Sequence, residues 1–348
     1  MSRRSSTQDR VAEWTIVETM TGKNTVVSVG GHKREWVSLR RAGFAQRVRL
    51  TANRDQPPLE LERLIERCAT TRNPLDAEVY SLEGRISWRL IIEPVPTAGG
   101  RCNAVQLWLA AKDVPVKPRR SIAGLVWDFE RQICLQPFES TVMSGREGLW
   151  EDTEEVSLSR LLSLGERYDE FIETLQLLFA SDPSQRIQTH VTVPHAYKEL
   201  MRWQVNLVAA RPGALVVWED VTDAVPVEPP TLQQIGLHTA HLTGVNVVVI
   251  APAHGTLAMF LTPPPEWVQH IYRSADVHVI HQDDVEAIQK AVADERFAAA
   301  ATDQPVSTDV RLLTTDGTYE RVTMDLLPFP GEIGTGLVVG YFVRSTTA

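Results

Sequence analysis

The chain has 348 residues, of which 43% are hydrophobic and 23% charged, and its formal net charge is −9. These values are typical of a globular protein with two or three domains, and the acidic balance argues against a general nucleic-acid surface. The most apolar run, Val245 to Leu261, is interrupted by Pro252, His254 and Gly255, so it does not predict a membrane span. Residues 1–12 are predicted to be a disordered tail without a secretory signal, because the first ten are polar and contain no apolar stretch.

The cysteine content favours a reducing compartment. Cys68, Cys102 and Cys134 are widely spaced and form no CxxC pair. This pattern predicts reduced thiols rather than a disulfide framework, and we therefore expect a cytoplasmic protein.

The first predicted module covers residues 13–117. Leu61, Leu64, Ile65 and Cys68 recur at helical spacing after two prolines, which indicates a helix between β-rich runs. The predicted elements are strands Trp14–Met20 and Thr25–Val29, helix Pro57–Thr70, and strands Asp76–Leu82, Ile86–Pro94 and Asn103–Ala111. Prolines and charges from Lys112 to Ser121 then predict a linker.

The second predicted module covers residues 121–225 and repeats that order. Its clearest element is an amphipathic helix, Arg167–Ala180. The other predicted elements are strands Ile122–Phe129 and Ile133–Phe138, a short helix Ser157–Leu164, and strands Ile187–Val193, Glu199–Ala209 and Ala214–Val221. Residues 226–241 are predicted to form a connector that ends in a short helix.

The third predicted module covers residues 242–348. It begins with strands Val245–Ala251 and Thr256–Leu261, continues with a helix near Trp267–Ser274 and a helix Asp283–Thr302, and closes with strands Val306–Thr314, Tyr319–Leu327 and Gly336–Val343. Asp283 is placed as the helix N-cap, and Thr315-Asp316-Gly317 predicts a hairpin turn.

The recurrence of one order of elements at similar intervals predicts three small domains. The alternative is that short β-rich runs recur in any α+β protein. We favour the repeat, and we predict an α+β fold of three modules, each with an antiparallel five-stranded sheet and helices on one face.

Several of these segments resemble PAS domains. The run Val277-His278-Val279-Ile280-His281-Gln282-Asp283-Asp284 resembles the His-Pro-Asp-Asp start of the last PAS helix, with Gln282 in place of proline. Residues 310–319 are similar to the PAS hairpin that turns at Asp-Gly, and residues 216–222 to the closing PAS strand. The opening from Glu13 to Thr19 resembles an uncharacterised actinobacterial family, described as tandem sensors of PAS/GAF-like modules without an output domain. The resemblance implies a sensory role and identifies no ligand.

Motifs of the common enzyme classes are missing from the sequence. It contains no phosphate-binding glycine loop followed by Lys-Ser/Thr, no HExxH and no Gly-x-Ser-x-Gly. His238 and His241 are spaced i, i+3 and could present two imidazoles to a metal, but no further ligand completes the set, so we interpret them as surface residues. His281 is interpreted as a helix cap.

Nine tryptophans are the most distinctive feature of the composition. Those in predicted strands either fill the core or line a pocket between sheet and helices. They are Trp88, Trp108, Trp127, Trp203 and Trp218. If a pocket exists, we expect it in the second module, where the sheet faces the amphipathic helix. The candidate ligand-binding residues are Trp127, Phe171, Leu175, Phe179 and Trp203.

These patterns predict a non-enzymatic cytoplasmic sensor that binds a small ligand or a protein partner through tandem PAS/GAF-like modules. A pure interaction scaffold and an enzyme with an unrecognised site remain alternatives. The sequence leaves any cofactor unknown, and we expect no metal site, no nucleic-acid partner and no membrane insertion. It also leaves open whether the chain associates with itself or with another protein. The linker and the connector are expected to couple the modules.

Overall fold

The computed structural model describes residues 12–42, 50–51, 59–81, 87–129, 131–147, 155–179, 184–197, 199–210, 213–271, 277–294, 297, 305–329 and 336–344. The fold is α+β, with three antiparallel sheets that share no strands. Their strands lie within residues 15–111, 122–220 and 245–343. We name the corresponding parts of the chain the N-terminal, central and C-terminal modules.

The N-terminal module holds a seven-stranded sheet and one described helix. The elements are β1 (Thr15–Glu18), β2 (Thr25–Val29), β3 (His32–Ser38), β4 (Leu50–Thr51), α1 (Leu61–Thr71), β5 (Leu75–Ser81), β6 (Ser87–Pro94) and β7 (Ala104–Ala111). Leu61, Ile65 and Cys68 of α1 are buried, as the helical spacing predicted. Arg72, in the left-handed conformation, ends this helix.

The central module also has a seven-stranded sheet. It comprises β8 (Ile122–Asp128), β9 (Ile133–Leu135), α2 (Phe138–Met143), β10 (Glu155–Ser157), α3 (Leu158–Leu162), β11 (Arg167–Tyr168), α4 (Phe171–Phe179), β12 (Arg186–Pro194), β13 (Leu200–Ala210) and β14 (Gly213–Asp220). A connector helix α5 (Leu232–Leu242) follows, and Thr231 and Gln234 close its N-terminus with reciprocal side-chain bonds.

The C-terminal module has five strands. Its elements are β15 (Val245–Ala251), a single 3₁₀ turn (Pro252–His254), β16 (Thr256–Phe260), α6 (Gln282–Ala293), β17 (Val306–Leu313), β18 (Tyr319–Pro328) and β19 (Val338–Val343). Gly317 takes a φ of 84° in the turn between β17 and β18, where the Asp-Gly pair predicted a hairpin.

One strand order occurs in all three sheets. The orders are β2-β1-β7-β6-β5, β9-β8-β14-β13-β12 and β16-β15-β19-β18-β17. In each case the two strands that begin the module lie beside its last strand, and the helices fall between the second and third strands of the unit. The prediction of five strands per sheet is therefore wrong for the first two modules, in which β3 and β4, and β10 and β11, extend the edges of the shared unit.

Several local predictions are also wrong. Strand β3 and helix α2 lie in segments that showed no clear pattern. Residues 167–168 form a strand instead of the first turn of α4, because β12 offers them a free edge. No helix forms at residues 267–271, where Val268 pairs with Thr314. The predicted end of the last helix, residues 298–302, and residues 1–11 of the predicted tail lie outside the described residues.

The start of α6 corrects one capping assignment and confirms another. His281, not Asp283, is the N-cap, and its Nδ1 accepts a hydrogen bond of 3.3 Å from the backbone N–H of Asp283. Asp283 and Asp284 occupy the first turn, where their charge complements the helix dipole.

The N-terminal and central modules are joined by a hydrogen-bonded interface. Asn103 donates its side-chain amide to the carbonyl oxygens of Leu125 (2.8 Å) and Val216 (2.9 Å) on two neighbouring strands of the central sheet. Gln188 and Gln204 each donate to the carbonyl oxygen of Val27 at 3.1 Å. A rotation at the linker would break these bonds, so the linker does not act as a free hinge in this arrangement.

The central and C-terminal modules share an apolar core. One cluster of buried side chains includes Leu161 and Val191 of the central module together with Val249 and Met259 of the C-terminal module. Helix α3 packs against β16 across this boundary. Within the described ranges, no helix combines the length and the apolar character that crossing a membrane requires.

Candidate functional site

A cavity of about 50 Å³ lies inside the central module, between its sheet and its helices. Strands β8, β12, β13 and β14 form its floor, and residues of α2, α3 and α4 close it. Its lining is Trp127, Gln136, Ser140, Thr141, Ser144, Arg146, Val156, Leu161, Leu162, Leu164, Gly165, Tyr168, Thr174, Thr189, Val191, Val193, Trp203, Val205, Leu207 and Trp218.

Three tryptophans on neighbouring strands form the aromatic floor of this cavity. Alternation along β13 places Trp203, Val205 and Leu207 on the helix side of the sheet. Trp218 of β14 is paired with Val205, and Trp127 of β8 is paired with Ala214 of β14, so the three indoles lie on adjacent strands of one face. The rings of Trp203 and Trp218 are 5.1 Å apart between centroids and tilted by 41°.

Tyr168 closes one side of the cavity and is held in place by its hydroxyl, which donates to the carbonyl oxygen of Leu162 at 2.7 Å. Burial raises the pKa of the Tyr168 phenol, so the hydroxyl stays protonated and keeps this bond. Gly165 leaves the space that the ring occupies, since a Cβ at this residue would lie 2.3 Å from the Tyr168 ring.

The polar lining residues cluster around α2. Ser140 donates to the side-chain oxygen of Gln136 (3.3 Å), and Ser144 donates to the carbonyl oxygen of Thr141 (3.0 Å). Burial lowers the pKa of the Arg146 guanidinium, but the usual value is so high that the side chain stays charged at neutral pH. The cavity thus has an aromatic floor and a polar end.

Two of the five predicted ligand-binding residues line this cavity, Trp127 and Trp203. The other three lie beside it. Leu175 is fully buried in the core, Phe179 stacks on Phe129 with 5.4 Å between centroids, and Phe171 packs against Tyr168 at the same distance. Helix α4 contributes Thr174 instead. That any ligand occupies the cavity stays a prediction.

Sequence reasoning missed Tyr168 and the α2 segment as lining residues. Tyr168 was assigned to a helix face, whereas it belongs to β11. The segment before residue 147 is short and polar, and nothing in its pattern indicated that it packs over the sheet. Trp218 carried a usable signal, because it falls in the predicted strand that follows the strand of Trp203 along the chain, and the two strands pair in the sheet.

The histidines do not build a second site in the described part of the chain. No group of three or more His, Cys, Asp or Glu side chains is arranged there to hold a metal ion. His241 lies on α5, while the side chain of His238 is outside the described residues. His281 acts as a helix cap, as predicted.

The N-terminal part of the chain is similar to a known family. Residues 13–118 match the family described as "Rv3651-like, N-terminal". The similarity to this family therefore covers the N-terminal module. The crystal structure of an uncharacterised protein from Mycobacterium tuberculosis matches over 96% of this chain and 97% of its own, with 19% identity and a TM-score of 0.73. These similarities confirm the predicted resemblance to an actinobacterial family of uncharacterised proteins.

The match to the Mycobacterium tuberculosis structure includes all three sheets, so the similarity in fold extends beyond the N-terminal module. An RNA-binding light-oxygen-voltage receptor also matches over 64% of this chain and 95% of its own, with 13% identity and a TM-score of 0.24. That score is too low to bear on the fold or on function. No curated protein matches the chain.

Proposed function

We propose that the chain is a non-enzymatic cytoplasmic sensor built of three PAS/GAF-like modules, and that its central module binds a small, largely apolar ligand. Binding would change the contacts between modules, and these contacts would carry the signal to a partner. The shared strand order, with the helices between the second and third strands of the unit, supports the PAS/GAF-like plan.

The observation that carries this proposal is the aromatic cavity between sheet and helices. Ligand sites are commonly concave, mostly apolar and supplied with a few polar groups, and this cavity has that character. Its volume of about 50 Å³ is far too small for a haem or a flavin. An engineered apolar cavity that holds benzene has roughly 150 Å³, so a single-ring ligand would enter only by moving the lining helices outward.

Helix α3 offers a route from the cavity to the next module. Leu161 and Leu162 line the cavity, and the same helix packs against β16 of the C-terminal sheet. The N-cap residue of α3, Ser157, donates its hydroxyl to the carbonyl oxygen of His270 at 2.9 Å. A ligand that moves α3 would therefore change a packed contact between modules. This route is more direct than the linkers named from the sequence.

Thermal unfolding in the presence of single-ring aromatic compounds tests the proposal. We expect compounds such as ethylbenzene to raise the unfolding temperature of the wild type, because a ligand that binds the folded state stabilises it by mass action. Val193→Phe would fill the cavity and abolish the effect, whereas Val343→Phe, at a residue 52% exposed on β19, would leave it intact. The proposal fails if no compound stabilises the wild type, or if both variants respond alike. A visible absorption spectrum of the purified protein checks in addition for haem or flavin.

A scaffold function without a small ligand is the second candidate, and α5 favours it. Leu232, Ile235 and Leu242 of this helix are 86%, 51% and 80% exposed. Apolar side chains at such spacing on one helix are typical of a helix that packs against another. Light scattering on the wild type and on Leu232→Glu/Leu242→Glu tests it: an oligomer that the double variant dissociates, with no ligand response, would favour the scaffold.

A further inference from the structure

We infer that the central cavity selects an uncharged aromatic molecule that carries a hydrogen-bond acceptor, such as an aryl ketone, and that the indole N–H of Trp203 recognises the acceptor. This inference rests on the proposed function, since it names the chemistry of the same site.

The indole nitrogen of Trp203 is a buried donor without an acceptor. The residue is 3% exposed, its side chain lines the cavity, and its Nε1 has no hydrogen-bond partner among the described residues. Buried indole N–H groups ordinarily find a partner, because leaving a polar group unpaired in the interior is costly. A molecule in the cavity that supplies an acceptor would remove this cost.

The surroundings of Trp203 define the rest of the ligand. Trp218 and Trp127 present further aromatic surface on the same face, which suits a flat ring. The indole N–H of Trp127 also has no hydrogen-bond partner among the described residues, but it lies beside the thiol of Cys134, a weak acceptor, so it demands a second polar group less than Trp203 does.

The ligand is expected to be uncharged. A neutral indole donor does not offset the cost of burying an ion. Arg146 also lines the cavity, but it already interacts within the chain and is not needed for this recognition.

Acetophenone and ethylbenzene form a matched pair that separates the acceptor from the ring. We expect the wild type to bind acetophenone more tightly than ethylbenzene. In Trp203→Phe the ratio of the two dissociation constants should change by about fivefold to tenfold, which is the equivalent of one hydrogen bond. Trp88→Phe is the matched control, because Trp88 carries another buried and unpaired indole nitrogen but lies on β6 of the N-terminal module, outside the cavity. Its ratio should stay that of the wild type.

The outcomes distinguish the inference from the proposed function. If both compounds bind and Trp203→Phe leaves the ratio unchanged, the acceptor inference is wrong, the indole is satisfied by water, and the ligand site stands. If neither compound binds, both are wrong. Tighter binding of benzoate than of acetophenone would contradict the inference that the ligand is uncharged.

NMR spectroscopy of wild-type protein with isotope-labelled tryptophans provides a test that needs no variant. Among the nine indole N–H signals, acetophenone should shift one strongly downfield and ethylbenzene should not, since only the ketone accepts a hydrogen bond. Equal responses to both compounds would contradict the inference.

Discussion

Asp284 and Arg311 form a multiple-point ion pair that fixes α6 against β17. The guanidinium donates to both carboxylate oxygens, at 2.9 Å and 2.8 Å, and the backbone N–H of Arg311 donates to Asp284 at 2.7 Å. Asp284 lies in the first turn of α6, within the run whose resemblance to PAS domains was noted from the sequence. Arg311 lies in the hairpin strand of the second such run. The two resembling segments are thus in direct contact.

Replacing Asp284 by Asn should destabilise the fold by about 1 kcal/mol at pH 7, because the side chain loses its charge-assisted bonds. Arg311 holds the pKa of the Asp284 carboxyl below its usual range. A lowered pKa contributes stability that is present above the unfolded pKa of about 3.9 and lost as pH falls through the folded value. The difference between wild type and variant, measured by urea unfolding, should therefore be full at pH 7 and shrink below about pH 4.

The exposed pair of Glu320 and Arg344 provides the control for this prediction. Its two bonds, at 2.9 Å and 2.8 Å, have a similar geometry at the surface. Glu320→Gln should change stability less than Asp284→Asn, since solvent screens exposed pairs. Equal effects of the two substitutions would contradict a special role for Asp284.

Glu219 is a buried carboxyl group at the interface between the N-terminal and central modules. It is 2% exposed, lies next to Gln204 in the sheet, and faces Ser28 of β2 across the interface. Burial raises its pKa to about 7, with Arg120 acting in the opposite direction. Arg120 does not neutralise it because its guanidinium is occupied by Asp223 through two bonds of 2.7 Å.

The wild type should lose stability as pH rises from about 4.5 to about 7, and Glu219→Gln should lack this loss. In that window the unfolded chain has released the proton while the folded chain still holds it, so folding becomes less favourable as pH increases. The expected loss is about 3 kcal/mol in urea unfolding, and it should level off above pH 7.

Two variants delimit the cause of this pH dependence. Asp223→Asn should reduce it, because the freed Arg120 would favour the ionised form of Glu219. Glu62→Gln, in the first turn of α1, should leave it unchanged. A pH profile of Glu219→Gln that parallels the wild type would show that another group is responsible.

Gly124 lets the N-terminal module approach the central sheet. Its backbone N–H donates to the carbonyl oxygen of Pro96 at 2.7 Å, and it forms a parallel bridge with Thr97. A Cβ at this residue would lie 2.2 Å from the hydroxyl oxygen of Thr97, which is itself bonded to Val95. The contact has no room for a methyl group.

Gly124→Ala should therefore cost about 1–3 kcal/mol of stability, as overpacking does in a closed interior. Thr97→Ala/Gly124→Ala should recover part of the loss, since the clashing hydroxyl is removed. Gly100→Ala is the control, because a Cβ there meets nothing within 4 Å. If the urea concentration at which half of the protein unfolds is the same for Gly124→Ala and the wild type, the modules are not in this close contact in solution.

The parts of the fold that the sequence predicts well are those whose partners are close along the chain. Strands β2 and β15 were predicted with the bounds that the structure has, and the Asp-Gly turn pairs β17 with β18. In these segments the apolar pattern and the turn residues specify the same local structure.

Strand β3 shows why other parts were not predictable. Its residues are mostly exposed and polar, so it has no alternating pattern. It pairs with β2 through the turn at Gly30 and Gly31. Its outer face also makes contacts far along the chain: Lys33 donates to the carbonyl oxygen of Gln188 at 2.8 Å, and the ring of Trp36 lies 5.1 Å from the guanidinium carbon of Arg186. Such contacts depend on how the modules pack, which local pattern does not specify. The cavity was predictable in part. Its tryptophans follow strand alternation, whereas the α2 side of its lining depends on tertiary packing.

The three cysteines should be unreactive in the folded protein. Cys68, Cys102 and Cys134 are free and buried. Burial raises the pKa of each thiol, that of Cys68 to about 12, and only the thiolate is nucleophilic. Iodoacetamide at pH 8 should therefore label no cysteine in the native wild type and all three in urea, as counted by mass spectrometry. Ala293→Cys, at an exposed residue that ends α6, should add one rapidly labelled thiol and confirm that the reagent is active. Rapid native labelling of Cys134 would mean that the core between the central and C-terminal modules opens readily, and it would contradict the packed contact through which α3 is proposed to signal.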